Sequence, residues 1–137
     1  MPFIYHRTIR FQDTDAAGIV YFANVLAMCH EAYEASLATA GIDLRSFFSG
    51  DWVAMPIVHA DVDFFQPMFC GEEYAIHVQP RLLSESKFEI AYMIFASENA
   101  DKRVSQAKTI HICIDATTRT RSELPTDIQH WLNAIKP

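Results

Sequence analysis

The segment that decides the fold runs from Asp13 to Asn24 and reads DTDAAGIVYFAN. It changes from turn-forming residues to an apolar, alanine-rich run that continues to Ala40. In that run apolar side chains recur at spacings of three and four, which predicts a helix from about Val20 to Ala40 with one stripe facing a core. Asn24 is the predicted N-cap, and Gly41 stands where a helix C-terminal glycine belongs.

Strands are predicted on both sides of this helix. A strand before it, with one buried face, is marked by Phe3, Tyr5, Ile9 and Phe11. Alternating apolar side chains predict further strands within residues 57–64, 74–83, 88–94 and 104–114. The last of these is marked by Val104, Ile110, Ile112 and Ile114. Pro125 then opens a predicted short helix from Thr126 to Ile135.

The order of these elements indicates the fold class. The connections between the later strands are too short for parallel crossovers, so the sheet is predicted to be antiparallel. The long helix is too apolar to be covered from one side, so the sheet must curve around it. We therefore expect an α+β fold, with a long central helix wrapped by a curved antiparallel sheet of five to six strands, as a single domain spanning residues 1–137. Such a sheet leaves free edges, and a paired subunit is the usual way to bury them.

Composition argues against several classes of protein. The 137 residues are 50% hydrophobic and 20% charged with a net charge of −6, which is typical of a globular domain and argues against a nucleic-acid binder. Cys29, Cys70 and Cys113 are too far apart for a disulfide framework or a zinc site, and they indicate a reducing compartment. No segment has the pattern of a targeting signal or a membrane span, so we expect a soluble, cytoplasmic protein.

Asp15 is the residue of the deciding segment best suited to chemistry. It precedes a helix N-terminus, whose unpaired N–H groups and positive dipole end can hold a developing oxyanion. A carboxylate there can attack a carbonyl carbon or activate water. Gly18 permits a turn and the close approach of a ligand. On pattern alone, the more common role of Asp13 and Asp15 is to cap a turn and the helix start.

The stretch from Asp13 to Asn24 also resembles the signature of the 4-hydroxybenzoyl-CoA thioesterase-like hotdog proteins. That signature is Asp-x-Asp, then Ala/Pro-Ala/Gly-Gly, an apolar-aromatic stretch and Asn, and the similarity continues over nearly the whole chain. The resemblance implies a hotdog fold and acyl-CoA thioester hydrolysis, with Asp15 as the catalytic carboxylate and the backbone amide of Phe22 polarising the thioester carbonyl. It also implies a homodimer, commonly paired into a homotetramer, with acyl-CoA bound at the subunit interface.

Phe22 relates the chain to one branch of that family. Some relatives carry histidine at this position. Because this chain carries phenylalanine instead, it resembles the aromatic-acyl branch, most closely the cyanobacterial 1,4-dihydroxy-2-naphthoyl-CoA thioesterases of phylloquinone and menaquinone synthesis. Hydrolysis needs no metal or organic cofactor, because the CoA thiolate is a good leaving group with a pKa of about 8.5. Three alternatives stay open: a thioesterase for short-chain or fatty acyl-CoA, a hotdog hydratase or dehydratase, and a non-catalytic acyl-CoA-binding protein.

Further side chains are candidates for binding the substrate. Those expected at the acyl group are Gly18, Tyr21, Phe47, Phe48 and His59, although core packing or a polar sheet face explains several of them as well. The basic cluster of the bacterial 4-hydroxybenzoyl enzyme is reduced here to one cation, so the candidates for the CoA phosphates are Arg81, Lys87, Arg119 and Arg121. Simple surface charge explains these four equally well.

Two other polar residues have an expected structural role. His30 lies on the apolar stripe of the helix and is more often a hydrogen-bonded core residue than a catalyst. Asp13 shares the segment with Asp15, but we expect Asp13→Asn to reduce hydrolysis far less than Asp15→Asn.

Overall fold

The computed structural model describes residues 1–135, so Lys136 and Pro137, the last two residues of the predicted 1–137 domain, lie outside the described residues. The strands are β1 (Phe3–Thr8), β2 (Val53–Ala54), β3 (Ile57–Phe64), β4 (Glu73–Ser84), β5 (Lys87–Ala96), β6 (Asn99–Ile112) and β7 (Ile114–Asp115). The helices are α1 (Phe22–Thr39), α2 (Leu44–Phe47) and α3 (Thr126–Ala134), with a 3-10 turn at Phe11–Asp13. Among the described helices, none is long and apolar enough to cross a membrane.

Five strands form one antiparallel sheet in the order β1-β4-β5-β6-β3, and β2 pairs with β7 in a separate two-stranded ladder. Every connection within the later strands is a tight turn, which is why neighbours along the chain from β4 to β6 are also neighbours in the sheet. The α+β class and the strand count predicted from the sequence are confirmed.

The core lies between α1 and one face of the sheet. Alternate side chains of β4 and β5 are fully buried there: Ile76, Val78, Phe88, Ile90 and Ile94. From α1 they meet a buried stripe that includes Met28, Tyr33 and Leu37. Helix α3 closes one end of this layer with Trp131, whose indole N–H donates to the Ser36 hydroxyl at 3.0 Å. Burial of such side chains stabilises the fold by roughly 2 kcal/mol each.

The ends of α1 confirm one cap and correct the other. At the C-terminus, Gly41 has φ +87°, its N–H donates to Ala38 O (3.0 Å), and the N–H of Ile42 donates to Leu37 O (3.1 Å), so the expected glycine closes the helix. At the N-terminus the cap is Tyr21 rather than Asn24. Asn24 lies inside the first turn of the helix. Its side-chain amide does not cap the helix but donates to a loop carbonyl outside it.

Two features of the strands do not follow from the positions of their apolar residues. Phe11 is 85% exposed, since the chain leaves β1 after Thr8 and enters the 3-10 turn, so the period of two ends before it. In β6 the buried positions are Val104, Ser105, Ala107, Thr109 and His111, whereas Ile110 and Ile112 point to the other face of the sheet and are only partly buried. Val104 therefore marks both the strand and its core face, whereas Ile110 and Ile112 mark only the strand.

Strand β3 is an edge strand that is exposed along almost its whole length. Its apolar side chains Ile57, Val58 and Phe64 are about half exposed, and so is Phe65, which follows it. On one side β3 pairs with β6, and among residues 1–135 nothing pairs with its other side. An open edge with apolar side chains is a surface that folded proteins usually cover.

Candidate active site

The loop that carries Asp15 is a closed turn between two bridging residues. Thr14 and Val20 form an isolated bridge, the N–H of Asp15 donates to Ile19 O (2.9 Å), and the N–H of Gly18 donates to Asp15 O (3.0 Å). Gly18 has φ +81°, and a Cβ placed there would meet no atom within 4 Å, so the turn requires glycine for its backbone conformation and not for space. The Asp15 carboxylate accepts the N–H of Ala17 at 2.8 Å.

The N-terminal tip of α1 offers unpaired amides. Tyr21 ends the loop with an extended backbone, and the N–H of Asn24 already donates to Tyr21 O at 2.8 Å. The N–H groups of Phe22 and Ala23, in contrast, have no acceptor among residues 1–135. These two groups and the dipole of an 18-residue helix make the tip a favourable place for a negatively charged oxygen.

A cavity of about 370 Å³ joins the carboxylate to this tip. It is lined by Asp15, Ile19, Val20, Tyr21, Phe22, Val25, Phe64, Phe65, Gln66, Pro67 and Met68. Four of these residues are aromatic, and the acid is the only ionisable carboxylate in the set. The arrangement can hold a carbonyl compound with its oxygen at the helix tip and its carbon near a carboxylate.

Asp13, two residues earlier, lies in different surroundings. Its carboxylate is buried and accepts two hydrogen bonds from the Arg7 guanidinium (2.6 and 3.3 Å) and one from the N–H of Arg10 (2.8 Å). Burial alone would raise the pKa of Asp13, but the hydrogen bonds from Arg7 and Arg10 outweigh it and hold that pKa below its ordinary value. Asp13 is thus committed to an ion pair, while Asp15 lines the cavity.

Residues 9–132 match the family described as the Thioesterase-like superfamily. The chain belongs to this superfamily. A 1,4-dihydroxy-2-naphthoyl-CoA hydrolase of Trichodesmium erythraeum (strain IMS101) is 51% identical over 132 residues, which make up 96% of each chain. One of Nostoc punctiforme (strain ATCC 29133 / PCC 73102) is 53% identical over 96% of this chain and 87% of its own.

A solved structure extends the comparison to the fold. The crystal structure of a 1,4-dihydroxy-2-naphthoyl-CoA thioesterase from Synechocystis matches this thioesterase-like chain with a TM-score of 0.92 at 36% identity, covering 97% of this chain and 96% of the other. The hotdog fold predicted from the sequence is confirmed, and so is the family.

The candidates for acyl-group binding lie at separate places in the structure. Gly18 lies in the Asp15 loop, and Tyr21 lines the cavity. Phe47 and Phe48 pack on each other at the end of α2, where Phe48 contacts the rings of His30 and Tyr33 further along α1. His59 lies on the outer face of β3 and pairs with Asp61 at 2.8 Å. Neither the α2 aromatics nor His59 lines the Asp15 cavity within one chain.

The four candidate cations of this thioesterase-like chain lie at the other end of the sheet. Arg81 is ion-paired with Glu89 at 3.1 Å and lines a separate cavity of about 960 Å³ beside α3. Lys87 begins β5, Arg119 has φ +62° in a turn, and Arg121 donates to the Ser86 hydroxyl at 3.2 Å. Lys87 is paired with Ile112 at one end of the sheet. Phe64, which lines the Asp15 cavity, is at the opposite end.

The sequence analysis did not identify one wall of the Asp15 cavity. The segment from Phe64 to Met68 lines the cavity because Val20 N–H donates to Met68 O (2.9 Å), which brings the end of β3 to the helix tip. In the sequence, the two adjacent phenylalanines shortly before Pro67 were the signal that could have indicated this wall of the cavity. His30 also differs from its expected core role, since its side chain is 39% exposed and pairs with Glu34 at 2.7 Å. The buried histidine of the core is His111.

Proposed function

We propose that this protein hydrolyses the thioester of 1,4-dihydroxy-2-naphthoyl-CoA to the free acid and CoA. The observation that carries the proposal is the cavity that Asp15 shares with the tip of α1. Its aromatic lining suits a flat aromatic acyl group, because aromatic rings pack well on one another. Relatives that carry this name are about half identical to the chain over nearly its full length, which supports the same substrate.

The geometry supplies the elements of thioester hydrolysis. We place the thioester oxygen at the N–H groups of Phe22 and Ala23, which stabilise the negative charge that develops as the carbonyl carbon becomes tetrahedral. Asp15 acts as the nucleophile, through a mixed anhydride that water then hydrolyses, or as the general base that takes a proton from the attacking water. In both routes the carbon–sulfur bond breaks, its electron pair leaves on sulfur, and the CoA thiolate takes up a proton from solvent.

Steady-state hydrolysis of a panel of CoA esters, followed by detection of the free thiol, tests this function. We expect the highest kcat/KM for the dihydroxynaphthoyl ester, lower values for benzoyl esters, and the lowest for short-chain and fatty esters. Asp15→Asn should abolish hydrolysis of every ester, whereas Asp101→Asn, at an exposed aspartate in β6, is the matched control and should keep wild-type kcat. Full activity of Asp15→Asn, or its loss only through unfolding, would refute the assignment.

We further propose that the active form is a homodimer built through β3, with two dimers forming a homotetramer. Antiparallel pairing of two β3 edges around a two-fold axis would cover the half-exposed Ile57, Val58 and Phe64. It would also place the Ile57 end of the partner's sheet beside the Phe64 end of this one. Ile57 is paired with His111, and Lys87 with Ile112, so the candidate cations would approach the Asp15 cavity from the partner subunit.

Complementation between subunits tests this geometry. Arg121→Glu should raise KM, and Asp15→Asn should remove kcat. If the cation comes from the partner, a dimer of one subunit of each variant has one site that combines an intact Asp15 with an intact Arg121. Half of the dimers formed on co-expression contain one subunit of each variant, so about a quarter of all sites should be active. Activity no higher than that of Arg121→Glu alone, or a monomer in sedimentation, would contradict the dimer model.

We also propose a cytoplasmic location. Cys29, Cys70 and Cys113 are all free thiols, and Cys70 is exposed, which supports a reducing compartment.

A further inference from the structure

A hydrogen-bonded cluster under the Asp15 loop joins a strand, the loop and the helix. The Arg7 guanidinium donates to both carboxylate oxygens of Asp13 (2.6 and 3.3 Å) and through Nε to Glu31 in α1 (2.8 Å). The Tyr5 hydroxyl donates to the same Glu31 oxygen at 2.9 Å. The side chains of Arg7 and Asp13 are only 15% and 10% exposed. One cation of β1 therefore binds an acid on each side of the loop that carries Asp15.

Asp13 connects this cluster to the tip of α1 through its backbone. Its carbonyl oxygen accepts two hydrogen bonds, from the N–H of Tyr21 (2.9 Å) and from the side-chain amide of Asn24 (2.9 Å). Tyr21 is the last residue before the unpaired amides of α1, and Asp13 is two residues before Asp15. A single carbonyl group thus joins the backbone on which the carboxylate stands to the backbone that carries the amides.

We propose that Asn24 and Arg7 are positioning residues, which act through Asp13 to fix the Asp15 carboxylate relative to the amides of Phe22 and Ala23. This inference rests on the function proposed above. The Asp15 side chain itself is held only by the N–H of Ala17, within its own loop, among the contacts of residues 1–135. The Asp15 backbone is also tied to Ile19 within the loop (2.9 Å), and the two bonds at the Asp13 carbonyl add the link from the start of that loop to the first turn of α1. A displacement of the carboxylate by about 1 Å can reduce turnover about 100-fold.

A role in stability alone is the alternative explanation of this cluster. Buried ion pairs contribute little net stability, because desolvation of both charges offsets much of their attraction. The pair joins β1 and α1 to the residue whose carbonyl bonds the first turn of α1, two residues before Asp15, which favours positioning. The two roles differ in what a mild substitution does: loss of stability lowers the folded fraction, whereas loss of position lowers kcat of a protein that stays folded.

Asn24→Ala is the principal test. It removes one of the two hydrogen bonds to the Asp13 carbonyl, leaves the bond from Tyr21, and puts a good helix former into the first turn. We expect kcat to fall about 10- to 100-fold with KM within twofold of wild type and an unchanged thermal midpoint. The matched control is Gln129→Ala in α3, which removes the same kind of bond, a side-chain amide to a backbone carbonyl (Leu124 O, 2.8 Å), far from the loop. It should keep wild-type kcat.

Arg7→Lys supplies a second, independent variant. Lysine keeps the charge but cannot donate to both Asp13 and Glu31 with the fork of arginine, so kcat should again fall at constant KM. Wild-type kcat in both variants, or a loss of kcat no larger than the loss of folded protein, overturns the inference.

The measurement also separates this inference from the proposed function. If the wild type hydrolyses no CoA ester, the proposed function fails, and positioning is then read from amide hydrogen exchange alone. Asn24→Ala should raise exchange at Tyr21 and in residues 14–20 while leaving the sheet protected. Unchanged exchange in that loop overturns the positioning role whether or not the protein is a thioesterase.

Discussion

His111 gives a prediction whose size follows from the structure. The imidazole is 1% exposed, is stacked on Phe88 with ring centroids 4.7 Å apart, and has one hydrogen bond, between Nε2 and the Thr109 hydroxyl at 2.8 Å. Its Nδ1 has no partner among residues 1–135. Burial lowers the pKa of His111 to about 4, with a smaller contribution from the charge of His30.

The folded-state pKa lies below that of an unfolded histidine, about 6.5. Above that pH both states are neutral at this residue and the stability is complete. As the pH falls below about 6.5 the unfolded chain binds a proton first, so stability decreases until the folded state also titrates near pH 4. The difference corresponds to about 3 kcal/mol in total, most of which is lost by pH 4.5.

Urea unfolding at pH 7.5 and pH 4.5, at one protein concentration, measures this loss. His111→Gln keeps a polar group near Thr109 but cannot titrate, so its free energy of unfolding should decrease by roughly 2–3 kcal/mol less than that of the wild type between the two pH values. His130→Gln, which removes an exposed imidazole from α3, is the control and should follow the wild type. Parallel pH dependence of the wild type and His111→Gln would refute the reasoning.

Three further substitutions test the local physics. Tyr33→Phe removes a buried hydroxyl without a partner among residues 1–135, so urea unfolding should show a gain of about 1 kcal/mol, and a loss would mean that the hydroxyl is hydrogen-bonded. Gly41→Ala forces alanine to φ +87° and should destabilise by about 1 kcal/mol in the same assay, which an unchanged midpoint would contradict. Asp13→Asn should destabilise by about 2 kcal/mol at pH 7. Because the pKa of Asp13 is lowered in the fold, its stabilisation is present above the ordinary aspartate pKa of about 3.9 and is lost as the pH falls through the lower folded-state value, so acid titration should bring this variant and the wild type together.

Local patterns predicted most of the architecture. The period of α1, its terminal glycine, the strands and α3 depend on neighbouring residues of the chain, and all of these elements occur in the structure, although β1 ends at Thr8 and does not reach Phe11. Where the outcome depended on distant residues, the prediction was wrong. Asparagine is a residue type that favours the N-cap, but the side chain of Asn24 donates to the carbonyl of Asp13 instead.

The candidate site divides in the same way. The motif around Asp15 directs attention to one loop and one helix tip, because both lie within a dozen residues of sequence. The Phe64–Met68 wall of the cavity is distant in sequence from the Asp15 loop, and Glu31, which joins Arg7 and Asp13 in the cluster, is 24 residues from Arg7, so no local period indicates either of them.

The sequence by itself determined the type and order of the elements, because hydrophobic period, glycine conformation and turn chemistry act over a few residues. Only the tertiary structure decided which aspartate is ion-paired and which lines a cavity. Asp13 and Asp15 have the same side chain and nearly the same neighbours in the chain, but only Asp13 lies within reach of Arg7. That difference arises from how β1 packs beside the loop, which is a property of the whole fold.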